Sequence, residues 1–268
     1  MQDQRILISG IAGSVGSELA RQLYKSNVVS GFDINETELF LLAEDIGIDV
    51  RIGDIKNSET LKEIVEEFNP DVVFHTAALK HVSPSMTSPR EYVETNLIGT
   101  LNFLKATKGV GKFINISSDK AVQNQNVMGW TKKGTELFTR IYGGISVRFG
   151  NVMGSRGSVI PIWQSQIESR KPLTVTDPRA ERYMMTMEEA VSLVIKAGEK
   201  GNPGEIICLD MGKRINILDL AKKILERSES DLPIEMIGLR PGEVLVEEIM
   251  TPNELASAKK DGRFYVLI

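Results

Sequence analysis

The stretch that decides the fold is "RILISGIAGSVGSELARQL", residues 5–23. It joins a short apolar run to three glycines, Gly10, Gly13 and Gly16, and then to a helical pattern. Glycines between a strand and a helix let the backbone approach a pyrophosphate, and the helix N-terminus offers that pyrophosphate unpaired N–H groups. The stretch therefore predicts the strand, turn and helix of a dinucleotide site. The alternative is that the glycines serve only tight turns.

Strand and helix patterns continue to alternate up to Gly150. Because the apolar runs are continuous and rich in β-branched residues, they are typical of parallel strands that are covered on both faces. We therefore predict an α/β fold with a doubly wound parallel sheet of the Rossmann type. The apolar runs lie at 5–9, 28–32, 49–52, 71–77, 112–117 and 145–149, and the helical patterns lie near 15–25, 37–45, 58–67, 90–107 and 129–142.

The regular alternation of strand and helix patterns ends at Gly150. A glycine-rich loop follows, and then shorter strands and three further helical patterns. One of these, "NILDLAKKILERS", begins at Asn216, a residue type that favours the helix N-cap. We predict a smaller α/β substrate domain that is interleaved with the first. The dinucleotide-binding domain is assigned to residues 1–150 and 183–211, and the substrate domain to residues 151–182 and 212–268.

Composition narrows the class of partner. The chain has 268 residues and a net charge of −4, which argues against nucleic acid as the main partner. The single cysteine, Cys208, fits a reducing compartment, so we expect a cytoplasmic location. The longest apolar runs have the length of strands, so we expect no membrane span. Neither His75 nor His81 has neighbours at metal-ligand spacing, so we expect no metal.

Two acidic residues after predicted strands bear on the cofactor. Asp33 ends the second strand about 20 residues after the glycines, where a carboxylate would bind the adenosine ribose hydroxyls. The same carboxylate would repel a 2′-phosphate, so NAD is favoured over NADP. Asp54 follows the third strand and could meet the edge of the adenine.

A third feature is an acid next to a base. The stretch "ISSDK" ends a strand, and carboxyl ends of strands face the ligand crevice in this fold, so Ser117, Ser118, Asp119 and Lys120 should line it. An adjacent acid and base suit a reaction that removes one proton and donates another. Met128 and Lys132 follow at helical spacing on one face. We predict that like charge from Lys132 and a nicotinamide lowers the pKa of Lys120; the alternative is a solvated surface loop.

These motifs together resemble the extended short-chain dehydrogenase/reductase superfamily. Within it the chain closely resembles the capsular-polysaccharide and flagellin-sugar group, which comprises nucleotide-sugar 4,6-dehydratases that act on UDP-N-acetylglucosamine. The shared segments are "GIAGSVGSEL" (10–19), "FDINETEL" (32–39), "GDIKN" (53–57), "HTAALKHV" (75–82), "ETNLIGT" (94–100), "ISSDKAV" (116–122), "NVMGWTKKGTE" (126–136), "VRFGNVMGSRGSVIP" (147–161), "RYMMTMEEA" (182–190) and "GLRPGE" (238–243).

The resemblance implies a mechanism and a role for each residue of the cluster. NAD⁺ takes hydride from C4 of the hexose, Lys120 removes the acidified C5 proton, Asp119 protonates the departing C6 hydroxyl, and hydride returns to C6. In inverting members the C5 proton comes back from the opposite face. Ser118 would hydrogen-bond the C4 oxygen. The product would serve polysaccharide or glycan precursor biosynthesis.

Most of the superfamily has Tyr-x-x-x-Lys, whereas this chain has Met128 and Lys132 at those positions, as some members of the group do. Lys132 would bind the nicotinamide ribose. Because Met128 has no proton to exchange, the C4 hydroxyl proton would pass to Lys132, to Asp119 or to a water chain.

The resemblance also extends to binding residues. Asn96 would order the active-site helix, Arg182 and Arg240 would bind the UDP phosphates, and Glu243 would hold Arg240; the alternative for each arginine is a surface ion pair. Further cofactor residues, besides the glycines, Asp33, Asp54 and Lys132, would be Ser14, Val15, Ile55, Ala77, Ala78, Lys80 and Asn96. The full set for the sugar nucleotide would be Lys80, Arg148, Asn151, Ser158, Arg182, Arg240 and Glu243.

Two departures from the group and two rival functions stay open. The segment "SPSM" (83–86) and Val244 differ from the usual residues, which bears on the choice of sugar.

A UDP-sugar 4-epimerase, for UDP-glucose or UDP-N-acetylglucosamine, would share the fold and the cofactor, although Met128 argues against it. A non-catalytic NAD-binding protein would leave Asp119 and Lys120 unexplained. Relatives form dimers or hexamers, so a homo-oligomer is expected.

Overall fold

The computed structural model describes residues 1–268. None of its helices combines the length and the apolar composition that crossing a bilayer would require. The strands are β1 (Arg5–Ser9), β2 (Val28–Asp33), β3 (Val50–Ile52), β4 (Val72–His75), β5 (Lys112–Ile116), β6 (Ile145–Arg148), β7 (Asn151–Val152), β8 (Leu173–Val175), β9 (Glu181–Arg182), β10 (Met184–Met185), β11 (Ile206–Leu209), β12 (Ile215–Asn216), β13 (Ile234–Met236), β14 (Lys259–Asp261) and β15 (Phe264–Leu267). The helices are α1 (Ser14–Leu23), α2 (Glu36–Ile46), α3 (Ser58–Phe68), α4 (Val82–Thr87), α5 (Pro89–Tyr92), α6 (Gly99–Ala106), α7 (Lys120–Gln123), α8 (Val127–Ile141), α9 (Val159–Glu168), α10 (Met187–Lys200), α11 (Ile217–Arg227) and α12 (Pro252–Ser257), and a π-helical segment (Val93–Ile98) joins α5 to α6.

The main sheet has nine strands in the order β14-β15-β11-β6-β5-β4-β1-β2-β3. Strands β1 to β6 and β11 are parallel, whereas β15 and β14 are antiparallel additions at one edge. The predicted α/β class and doubly wound parallel sheet are confirmed. Strand order reverses between β1 and β4, and ligands bind in this fold at the carboxyl ends of the strands beside such a reversal.

The core follows from the alternation of side chains along β1. Ile6 and Ile8 point to one face and join a cluster of 28 buried residues that includes the inner faces of α1 and α10. Leu7 points to the other face and packs with Phe32 and Phe103 in a second cluster of 10 residues. Both faces of the strand are therefore buried, which explains its continuous apolar run.

The helices begin where the sequence offers a capping side chain. The side chain of Asn216 accepts a hydrogen bond from the backbone N–H of Asp219, so the predicted N-cap of this helix is confirmed. Asn126 caps α8 in the same way by accepting from the backbone N–H of Gly129 at 2.8 Å. This second cap matters for the site because α8 carries Met128 and Lys132.

The smaller domain has its own core, in which α9 and α11 pack on the parallel pair β8 and β13. Trp163 is completely buried there and donates its indole N–H to the carbonyl of Thr174 at 2.8 Å. One predicted boundary was wrong, because residues 259–267 form β14 and β15 and belong to the main sheet rather than to the substrate domain. A short apolar run such as "FYVL" does not by itself indicate which sheet edge it will join.

Candidate active site

A cavity of about 640 Å³ lies at the carboxyl ends of the central strands, between the two domains. It runs from the glycine turn after β1, past the ends of β5 and β6, to the tail segment before β14. The structure thus brings most of the predicted site residues to one place. The predicted residues that line it are Gly13, Ser14, Val15, Ala78, Lys80, Ser118, Lys120, Met128, Lys132, Asn151, Ser158, Arg182, Arg240 and Glu243.

The glycine turn is built by close backbone approach. Gly10 has a φ of +68°, and a Cβ there would lie 2.7 Å from the backbone of Ala77. A Cβ on Gly16 would collide with the Gly10 carbonyl oxygen. The carboxylate of Asp33 accepts from the backbone N–H of Ala12 at 3.2 Å, so it braces this turn from the end of β2.

Seven of the predicted cofactor residues do not line the cavity: Gly10, Gly16, Asp33, Asp54, Ile55, Ala77 and Asn96. Asp54 accepts from the backbone N–H of Lys56 at 2.9 Å beyond the end of β3. The side chain of Ile55 is buried in the second core cluster, so only its backbone could reach a cofactor. Asn96 accepts from the N–H of Leu79 at 2.8 Å and donates to Thr131 Oγ1 at 3.0 Å, so it ties the loop after β4 to α8.

The predicted acid and base lie side by side where β5 gives way to α7. Asp119 Oδ1 accepts from Ser118 Oγ at 2.9 Å and from Lys120 Nζ at 3.1 Å. The carboxyl of Asp119 is completely buried, and its Oδ2 has no hydrogen-bond partner. Burial, and then the charge of Glu247, raise the pKa of Asp119 to about 6.

Glu247 completes this cluster and was missed from the sequence. Its Oε2 lies 3.0 Å from Lys120 Nζ and 3.3 Å from Arg182 Nε. It stands in the tail stretch "GEVLVEEI", four residues after the end of the segment "GLRPGE" (238–243). The available signal was two adjacent glutamates within an apolar run, since a charge that is buried there must be paired.

The predicted lowering of the Lys120 pKa is wrong. Burial alone would lower it, but the charges of Asp119 and Glu247 outweigh burial, so the pKa of Lys120 rises above its ordinary value. The charges in direct contact with this ammonium are the carboxylates of Asp119 and Glu247, at 3.1 and 3.0 Å, and not the ammonium of Lys132. Lys120 is therefore a base only when a proton can move from it to a neighbouring carboxyl.

Met128 and Lys132 lie on the face of α8 that closes the cavity. Both side chains are buried, and Lys132 donates to the carbonyl of Ile116 at the end of β5. Burial, partly offset by the charge of Glu136, lowers the pKa of Lys132 to about 8.

The predicted sugar-nucleotide residues divide into two groups. Lys80, Asn151, Ser158, Arg240 and Glu243 line the cavity, and the buried hydroxyl of Ser158 has no partner within the chain. Glu243 accepts from the backbone N–H of Arg240 at 3.0 Å. Their positions suit a ligand that reaches from the cluster towards the second domain.

The two other arginines are held by the protein itself. Arg148 has no exposed surface and pairs with Glu136 and Glu254 away from the cavity, so its predicted contact with the sugar nucleotide is wrong. Arg182 lines the cavity, but its two terminal nitrogens donate to the carbonyls of Val244 and Leu245 at 2.8 Å. Its guanidinium is thus largely occupied. The sequence does not indicate the partners Glu254, Leu245 and Val244, because they lie 106, 63 and 62 residues further along the chain.

The two histidines have no metal-ligating neighbours. His75 is buried between Ser9 Oγ at 2.7 Å and Thr100 Oγ1 at 2.8 Å, and burial lowers its pKa to about 3. His81 lines the cavity against Gly157. No cluster of three metal-ligating side chains occurs in the structure.

Known proteins resemble this chain over almost its whole length. It is 40% identical over 280 residues to the capsular polysaccharide biosynthesis protein CapD of Staphylococcus aureus, a match that covers 95% of this chain and 46% of CapD. It is 40% identical over 276 residues to the probable polysaccharide biosynthesis protein EpsC of Bacillus subtilis, with the same shares. The chain thus spans about half of the length of these two relatives. It is 34% identical over 285 residues to a UDP-glucose 4-epimerase of Rickettsia bellii, covering 98% of this chain and 82% of that one.

Solved structures give the same picture of the fold. The X-ray structure of Pen from Bacillus thuringiensis matches with a TM-score of 0.94 and 38% identity, over 99% of this chain and 89% of Pen. Two more distant structures share the fold. The Thermus thermophilus UDP-glucose 4-epimerase with NAD has a TM-score of 0.83 and 21% identity, over 94% of this chain and 92% of that one. The Streptomyces venezuelae dTDP-glucose 4,6-dehydratase DesIV with NAD and TYD bound has a TM-score of 0.83 and 20% identity, over 94% of this chain and 90% of that one.

A sequence profile described as "Polysaccharide biosynthesis protein" matches residues 6–268. That range includes both domains and every residue of the cavity described above. The chain is therefore a member of this polysaccharide biosynthesis protein family, within the extended short-chain dehydrogenases/reductases.

Proposed function

We propose that the chain is an NAD-dependent nucleotide-sugar 4,6-dehydratase that acts on UDP-N-acetylglucosamine in the synthesis of polysaccharide precursors. The observation that carries this proposal is the Ser118–Asp119–Lys120 cluster, in which Ser118 and Lys120 line the cavity beside Met128 and the buried Asp119 lies directly behind them. Water elimination needs one group that accepts a proton and another that donates one. A site with a methionine in place of the tyrosine supplies both groups from this cluster.

The residues around the glycine turn fit a dinucleotide. Gly13, Ser14 and Val15 face the cavity where α1 begins, so the first N–H groups of this helix would bind a pyrophosphate there. Lys132, in the same cavity, would hold the nicotinamide ribose. Solved structures of this fold contain NAD, which supports NAD as the cofactor. When bound, NAD supplies the reversible removal of hydride from C4 and its delivery to C6.

The proton chemistry follows from the 3.1 Å separation of Lys120 Nζ and Asp119 Oδ1. Transfer of one proton from the Lys120 ammonium to Asp119 yields a neutral amine and a protonated carboxyl at once. The amine then removes the C5 proton from the 4-keto sugar, and the carboxyl protonates the C6 hydroxyl, which leaves as water. These two transfers leave Lys120 as an ammonium and Asp119 as a carboxylate, which are the charges that the pair had at the start. The proton that leaves the C4 hydroxyl on oxidation balances the proton that C5 receives when hydride returns to C6.

A UDP-sugar 4-epimerase is the second candidate, because the Rickettsia bellii relative has that name and matches 98% of this chain. An epimerase exchanges a proton with the C4 oxygen and leaves C5 untouched. Met128 cannot exchange that proton, so Lys132 or Asp119 would have to do so. The amine of Lys120 would then have no C5 proton to remove, which favours the dehydratase.

Proton NMR in D₂O separates these functions. We expect that the purified protein with UDP-N-acetylglucosamine and NAD⁺ yields a 4-keto-6-deoxy sugar that carries deuterium at C5. Conversion to the galacto epimer with C5 still protonated would contradict the dehydratase and support the epimerase. If this sugar and a panel of UDP- and dTDP-hexoses all stay unchanged, the proposal is wrong and a non-catalytic NAD-binding role gains weight.

Asp33 gives a test of the cofactor assignment. We expect Asp33→Ala to raise the dissociation constant of NAD about tenfold or more, because the turn loses its brace and the ribose loses an acceptor. The preference for NAD over NADP should also shrink. Asp45→Ala is the control, since that exposed carboxylate pairs with Arg21 on the same domain. Calorimetric titration measures both constants, and equal effects in the two variants would contradict the assignment.

A cytoplasmic location and a homo-oligomeric assembly, as a dimer or hexamer, belong to the same proposal. The single Cys208 is buried and has no disulfide partner, which fits a reducing compartment. Light scattering on the purified full chain would give the mass of the assembly.

A further inference from the structure

We infer that Glu247 is a positioning residue of this site, which holds Lys120 against Asp119 and directs the exchangeable proton onto Asp119. The inference deepens the proposed dehydratase function and rests on it. Glu247 belongs to none of the segments on which the family resemblance was based.

The geometry makes Lys120 a bridge between two carboxylates. Its ammonium lies 3.1 Å from Asp119 Oδ1 and 3.0 Å from Glu247 Oε2. The side chains of Lys120, Asp119 and Glu247 are 17%, 0% and 8% exposed, so water screens these contacts only weakly. A lysine side chain that is held from both sides loses its usual freedom, and its amine stays at the wall of the cavity.

Arg182 holds Glu247 from the other side. Its Nε lies 3.3 Å from Glu247 Oε2, and its terminal nitrogens are bonded to the carbonyls of Val244 and Leu245 in the same segment. Lys120 and Arg182 outweigh the effect of burial, so the pKa of Glu247 is lowered and it stays ionised. Glu247 is therefore a fixed negative charge.

A fixed negative charge next to Asp119 disfavours a second one. The shared proton is therefore directed to Asp119, whose Oδ2 is buried without a partner and offers it a place. The charged groups that face this pair are Lys120 from α7, Arg182 from β9, and Lys80, which faces Lys120 from the loop after β4. Loss of the Glu247 charge should leave Asp119 ionised to a lower pH.

The test replaces the charge of Glu247 and keeps its shape. We expect Glu247→Gln to move the titration of Asp119 from about pH 6 downwards by about one to two units, towards the ordinary range of a carboxyl. Infrared difference titration of the full chain labelled with ¹³C-aspartate follows the protonated carbonyl band, which Asp119→Asn identifies. Glu248→Gln is the matched control, because its carboxylate pairs with Arg214 instead.

A second variant should shift the titration of Asp119 in the opposite direction. Arg182→Gln removes a positive charge from the same cluster and should raise the pH at which Asp119 titrates. An unchanged titration of Asp119 in the Glu247→Gln variant would overturn the inference. If the Glu247→Gln variant does not fold, the test rests on Arg182→Gln. An Asp119 titration that does not move to higher pH in Arg182→Gln would then overturn the inference.

Kinetics give the readout that depends on the proposed function. We expect Glu247→Gln to lower kcat about 10- to 100-fold with KM within about threefold, and to move the acid limb of the kcat profile to lower pH. Glu247→Asp should restore part of kcat. A lower kcat with an unmoved acid limb would indicate a merely structural role. Because the infrared titration needs no sugar, a failure of the dehydratase proposal leaves the inference about Glu247 separately testable.

Discussion

Lys120→Ala is expected to lower kcat about 10²- to 10⁴-fold while the dissociation constant of NAD stays within about twofold. The variant removes the only amine that lies against Asp119 and Glu247 in the cavity. Oxidation at C4 does not need that amine, whereas removal of the C5 proton does. The expected result is therefore a site that oxidises its sugar and stops there.

Two measurements on Lys120→Ala separate these steps. In a single turnover we expect the absorbance of the reduced nicotinamide to appear and persist, because hydride is never returned to C6. In D₂O we expect no deuterium at C5. The control is Lys222→Ala on α11, an exposed lysine far from the cluster in the sequence, which should turn over normally. Exchange at C5 at the rate of the unmodified protein would show that Lys120 is not the base.

Arg148→Ala is expected to lower the free energy of unfolding by about 3–5 kcal/mol, because it leaves a buried carboxylate without its partner. Arg148 has no exposed surface and binds Glu136 through two nitrogens, at 2.8 and 2.9 Å. It also binds Glu254 of α12 at 3.1 Å. One guanidinium thus joins β6, α8 and the C-terminal part of the chain.

Denaturant unfolding of matched variants checks this effect. Arg179→Ala, which breaks an exposed pair with Asp177, should change stability very little. The double variant Arg148→Met/Glu136→Leu should cost less than Arg148→Ala alone, since it leaves no unpaired charge at Glu136. A loss in Arg148→Ala as small as that in Arg179→Ala would contradict the buried network.

Local patterns made much of the fold predictable. The run "RILIS", the glycines after it and the amphipathic helix that follows are all set by neighbouring residues, so β1, the turn and α1 lie where expected. The same is true of Asn216 at the start of α11. In each case the physical cause, side-chain alternation or a cap, acts within a few residues of the chain.

The electrostatics of the site could not be obtained in this way. Lys120 and Glu247 are separated by 127 residues, and Arg148 and Glu254 by 106. The sequence shows which residues are charged but not which of them are in contact. For this reason the shift of the Lys120 pKa was predicted in the wrong direction, and Arg148 was predicted to contact the ligand. Both errors have one cause, which is that the tail returns to the first domain.

The outermost strands of the main sheet have a consequence for assembly. Both are only three residues long: β14 is "KKD", and β3 carries Arg51, whose guanidinium pairs with Glu67. Short, charged edge strands resist pairing with the backbone of another molecule. Neither end of the sheet offers a template for extension into a neighbouring copy. A homo-oligomer of this chain would therefore be joined through helices and loops, with each nine-stranded sheet confined to its own subunit.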